Sequence, residues 1–144
     1  MDNKMKSVFW FVILCILPGV AIAGDKMVST PSPAEAKVYI ISPTDGAEVN
    51  ETFTVKFGLT GMGVAPAGTD KANTGHHHLI IDSEALPKLG VPMGSDVKHF
   101  GGGQTETSLT LPKGKHTLRL VLGDMSHIPH EPMVYSELVT ITVK

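Results

Sequence analysis

Three segments of this chain alternate apolar and polar residues with a period of two, and no stretch carries a convincing helical period. Thr52 to Leu59 places Phe53, Val55, Phe57 and Leu59 on one face and Thr52, Thr54 and Lys56 on the other. Lys115 to Leu122 sets Leu118, Leu120 and Leu122 against Thr117, Arg119 and Val121. Ser136 to Lys144 sets Val139, Ile141 and Val143 against Thr140 and Thr142. This is the pattern of half-buried strands, whose successive side chains point to opposite faces of a sheet. Shorter strands are expected at Lys37 to Ile41, His77 to Asp82 and Thr105 to Leu111, a weak one within Gly94 to Phe100, and at most one helical turn in Ser83 to Leu89. Pro43-Thr44-Asp45-Gly46 and Pro112-Lys113-Gly114 supply turns between them. Strands so spaced, without β-α-β units, predict an all-β fold: an antiparallel immunoglobulin-like β-sandwich of about seven strands.

The chain begins with Lys4 and Lys6, an apolar run from Val8 to Leu17, and Ala21-Ile22-Ala23 after a Pro18-Gly19 break. Those are the parts of a signal peptide, here residues 1–23 with cleavage expected after Ala23. The run is shorter than the roughly 20 residues of a permanent span, so no membrane anchor is expected after cleavage. The sole cysteine, Cys15, lies inside the run, and the mature protein is expected to be periplasmic or secreted and thiol-free. Residues 24–36, rich in Ser, Thr, Pro and Ala, read as a flexible linker before a domain at 37–144. The mature chain carries ten basic and thirteen acidic residues, a formal charge of -3 without a basic cluster, which argues against nucleic acid as a partner.

Six of the seven histidines fall in three segments: Gly75-His76-His77-His78, His99-Phe100-Gly101-Gly102-Gly103-Gln104, and Asp124-Met125-Ser126-His127-Ile128-Pro129-His130. In an immunoglobulin-like topology these lie in the second-to-third, fourth-to-fifth and sixth-to-seventh strand connections, which emerge at one end, with His116 at the other. Alternation turns His77 inward with Leu79 and Ile81, and leaves His76 and His78 on the wetter face shared with Asp82. His76, His78, His99, His127 and His130 are the candidate metal ligands, and His77, Asp124, Gln104 and Met125 candidate supports. Asp124 either orients a ligating imidazole or closes an Asx-turn at a strand end, and Met62, Met125 and Met133 either serve as soft ligands or fill space. Gly101 to Gly103 resembles a phosphate loop only loosely, because it leads into a strand.

The segments Ser42-Pro43-Thr44-Asp45-Gly46, Gly61 to Gly68, Gly75 to Asp82, Phe100 to Thr105 and Gly114 to Leu118, with Asp124, His127, Pro129 and His130, resemble a family of bacterial secreted proteins, domain of unknown function 4399. The resemblance covers Ala36 to Lys144 and implies one small exported domain without implying an activity. Neither a nucleophile elbow nor a zincin motif is present, so catalysis is the weaker expectation. The sequence points instead to a carrier or sequestration protein that binds copper or zinc through its histidine-bearing loops. The alternative is a recognition module that binds an envelope protein or glycan through the same loops.

Overall fold

The computed structural model describes residues 27–144, so the expected signal peptide and its cleavage site lie outside the described residues. The described residues contain no helix and nine strands: β1 (Lys37–Ser42), β2 (Glu48–Val49), β3 (Thr52–Thr60), β4 (Gly63–Val64), β5 (Thr74–Ile81), β6 (Lys98–His99), β7 (Glu106–Thr110), β8 (Gly114–Gly123) and β9 (Val139–Val143). One sheet has the order β1-β3-β7; the other runs β2-β9-β8-β5-β4, with β6 also paired to β5. The three long strands of each sheet are related as in an immunoglobulin-like sandwich. The expected fourth strand is only Lys98–His99, and it joins β5 in the second sheet.

The predicted apolar faces meet between the sheets. Val55, Phe57, Leu79, Leu118, Leu120, Leu122 and Ile141 are buried together there, each of the larger side chains contributing about 1.5–3 kcal/mol by leaving water. Val121 departs from the expected pattern: it is fully buried, on the opposite face of β8 from its leucine neighbours. There it packs with Ile80 and Val97, and with the partly buried Met93 and Met133, in a second and smaller apolar cluster. The continuous apolar runs Leu79-Ile80-Ile81 and Leu120-Val121-Leu122 therefore belong to central strands covered on both faces. The cover on the outer face consists of the β5–β6 and β8–β9 connections, and the expected helical turn in Ser83 to Leu89 is irregular chain.

The segment expected to be a flexible linker is, from Met27 onward, hydrogen-bonded to both covering connections. The Met27 amide donates to the Gly90 carbonyl (3.1 Å) and the Glu131 amide to the Thr30 carbonyl (3.0 Å). The Gly90 amide donates to Ser29 Oγ (3.1 Å), and the Ser32 hydroxyl to the Pro132 carbonyl (2.7 Å). These bonds satisfy main-chain groups of an irregular cover that is tied to the sheets only through isolated bridges, such as Tyr135 to Val121 and Pro129 to Gly123.

Candidate metal centre

His76 and His78 lie two residues apart on β5 and so project from the same face, with ring centroids 4.7 Å apart. Pairing of β5 with β6 sets His99 directly opposite His78, 5.1 Å between rings. The fourth imidazole comes from the β8–β9 connection, where Asp124 shapes the turn. Its Oδ1 accepts the amides of Ser126 (2.8 Å) and Ile128 (3.0 Å), and its carbonyl accepts that of His127 (3.0 Å). The turn holds His127 at a φ of 64°, a left-handed conformation unfavourable for a non-glycine residue and frequent at functional sites. The His127 ring then stands 4.6 Å from that of His99 and 5.1 Å from that of His76, nearly perpendicular to both. One ring nitrogen from each of His76, His78, His99 and His127 lies within 4.8 Å of all the others.

The burial of this cluster is graded. His76 and His78 are 0% and 1% exposed, His127 is intermediate, and His99 is exposed. The face expected to be wet is thus the floor of a second packed layer. His76 Nε2 faces His127 Nδ1 at 3.0 Å, but His76 Nδ1 and both ring nitrogens of His78 are buried without any hydrogen-bond partner. Each buried, unpaired polar atom costs about 1–3 kcal/mol, and such atoms are uncommon in folded proteins. His77 and His130, outside the cluster, each leave one buried ring nitrogen unpaired too, so what sets the cluster apart is His78, with neither nitrogen paired.

Residues 55–144 match the family described as domain of unknown function (DUF4399). The chain belongs to the DUF4399 family. No curated protein and no solved structure matches it. The matched stretch holds all four imidazoles of the cluster and the turn at Asp124, so the centre lies wholly inside the DUF4399 domain.

Burial and the neighbouring imidazoles hold His76 neutral down to about pH 4 and His78 to about pH 3. His99 is lowered by desolvation and by His127. Neutral imidazole is the form that ligates metal, so His76 and His78 stand in their ligating form throughout the neutral range.

The remaining candidates have other positions. His130 stands apart from the four-imidazole group; its Nδ1 faces the Thr30 carbonyl at 3.2 Å, and burial lowers its pKa. His77 turns inward as expected, its ring 5.1 Å from that of Phe57 and its Nδ1 3.3 Å from the Gln104 carbonyl. Gln104 thus meets His77 through its backbone, while its side-chain oxygen accepts the Gly102 amide. Asp124 builds the Asx-type turn rather than bonding a ligand ring; its Oδ2 accepts the Thr30 hydroxyl at 2.7 Å. Burial works to raise the Asp124 pKa, but its hydrogen bonds from Thr30, Ser126 and Ile128 and the charge of His130 bring it below the usual value. Met125 is 41% exposed, Met62 packs against the main core and Met133 against the second cluster. His116 is remote, paired through Nδ1 with Asp82 (2.7 Å) and through Nε2 with the Pro112 carbonyl (2.8 Å). A groove of about 540 Å³ between β1 and residues 133–139 holds none of the histidines.

Two glycines complete the site: Gly101, in the run singled out in the sequence, and Gly123, which sequence reading missed. A Cβ on Gly101 would lie 2.2 Å from Cε1 and 2.6 Å from Nε2 of His99, and one on Gly123 would lie 2.6 Å from Cε1 of His78 and 2.8 Å from Cε of Met93. Bare backbone is what lets both rings lie down against the sheet. The glycine run after His99 was the available signal, although it reads equally as a bulge. Gly101→Ala is expected to swing the exposed His99 ring out of the cluster and weaken metal affinity by about tenfold or more. The metal-free unfolding midpoint should barely move, because Gly101 has no left-handed φ and is only partly buried. Calorimetric metal titration paired with thermal unfolding checks both halves.

Proposed function

We propose that the DUF4399 domain binds one divalent transition-metal ion, copper or zinc, through His76, His78, His99 and His127, as an exported carrier or sequestration protein. The observation that carries this reading is His78, a buried imidazole with two unpaired nitrogens inside a ring of three others. At metal–imidazole bonds of about 2.0–2.1 Å, ligand nitrogens of a four-coordinate ion lie roughly 3–4 Å apart. The 3.0 Å between His76 and His127 already meets that spacing, and the 4.8 Å limit of the group requires only a modest contraction. An all-imidazole set without thiolate or carboxylate suits Cu(II) and Zn(II). The expected leader would deliver this site to the periplasm or exterior.

The grading of burial suits a carrier. His76 and His78, fixed on a central strand, form the floor, and the exposed His99 is where metal, or an envelope protein that supplies or takes it, would approach. Calorimetry on the untagged mature protein at pH 7.5 is expected to show about one equivalent of Cu(II) or Zn(II) bound tighter than about 1 μM. His116→Ala, at the other end of β8, should leave that affinity unchanged. Binding no tighter than about millimolar, the level scattered surface histidines reach, would remove the proposal.

A further inference from the structure

Among the described residues no Asp, Glu or Cys belongs to the cluster, so imidazole nitrogens are its only ligand atoms and bring no negative charge. A divalent ion bound there would keep both its charges against a floor that is 0–1% exposed. An uncompensated charge in a poorly hydrated site is costly and is normally paired. Asp124 is the carboxylate whose charge reaches His76, but its two oxygens are already engaged by the Ser126 and Ile128 amides and by the Thr30 hydroxyl. Even the whole of its charge leaves an excess of one. Compensation must then come from solution, and the exposed side of the cluster, at His99, is where it can enter.

We infer that the metal-loaded centre binds a small inorganic anion as an additional ligand, on the His99 side. This rests on the metal-binding reading above and names the ligand class of that same site: hydroxide, a halide, or a pseudohalide or oxygen-derived anion of similar size. The four imidazoles supply no negative charge, His76 and His78 are closed off by burial, and His99 is exposed, so the His99 side is the one open to an anion. An anion at the open side gains the full attraction of the ion at bonding distance and partial shielding from water by the surrounding rings.

Azide is the probe. Cu(II)-loaded protein, freed of excess copper by gel filtration, is titrated with sodium azide at constant ionic strength held with perchlorate. The expected result is a new azide-to-copper charge-transfer absorption that saturates at about one azide per copper, with copper still eluting with the protein. An unchanged spectrum on a copper-retaining protein overturns the inference, as does azide that merely strips the copper. Failure to retain copper before azide is added counts against the metal reading instead.

Discussion

Replacing His78 with leucine is expected to make the metal-free protein more stable while removing its high-affinity metal binding. The side chain is 1% exposed, lies in a packed layer and leaves both ring nitrogens unpaired. An apolar side chain of comparable size removes that penalty, so the unfolding free energy should rise by about 1–3 kcal/mol. Loss of a ligand from a four-imidazole set should weaken metal binding by more than about 100-fold, beyond what removing a mere supporting partner costs. Stability exchanged against binding in one residue is the signature of a site shaped for a ligand. His77→Ala gives the contrast: it empties a core position against Phe57 and leaves the Gln104 carbonyl without its imidazole, so it should cost about 1–3 kcal/mol. If His78→Leu instead destabilised the metal-free fold as much as His77→Ala does, His78 would be a core residue and not a ligand.

Acid is expected to unfold the metal-free protein well before ordinary carboxylate protonation does. An unfolded histidine titrates near 6.5, whereas folded His76 and His78 are held at about 4 and about 3. Between those values the unfolded chain binds more protons than the folded one, so stability is full above about pH 6.5 and falls as pH falls. Each group contributes up to about 1.4 kcal/mol per pH unit, and the two together reach several kcal/mol by pH 4. His77, His99 and His130 are shifted in the same direction. His116 runs the other way: the Asp82 hydrogen bond, with that of the Pro112 carbonyl, raises its pKa, so its contribution is full below about pH 6.5 and is lost as pH rises through the raised value. Being one group against several, it does not reverse the trend. Denaturant unfolding in the presence of a chelator at pH 7.5, 6, 5 and 4 measures the slope, and a flat profile would contradict the burial of the cluster.

Much of the sandwich was legible because alternation is a local signal. Phe53 to Leu59, Leu118 to Leu122 and Val139 to Val143 each declare their inward face within a few residues, and the two sheets follow from pairing those faces. The outer layer was not legible, because the β5–β6 and β8–β9 connections that cover Val121, His76 and His78 have no period to read. Asp82 misled for a specific reason. It follows His76, His78 and Ile80 in the alternation, but it sits just beyond β5 at a φ of 56°, with its carboxylate turned to His116 and the Thr117 amide. The pair His127 and His130 looked like two ligands on one segment. The turn built by Asp124 sends His127 into the cluster and leaves His130 against Thr30, in an arm that sequence composition reads as linker. The convergence of the three histidine segments was legible as topology, whereas the choice among their six imidazoles depended on backbone conformation at single residues.

Counting the ligands on bound metal tests the central claim most directly. Nitrogen hyperfine structure in the electron paramagnetic resonance of the stoichiometric Cu(II) protein, assigned with single alanine variants, should show imidazole coordination from His76, His78, His99 and His127 and none from His130 or His116. A copper centre with two or fewer imidazoles, or one whose spectrum is unchanged in both His76→Ala and His78→Ala, would contradict the account.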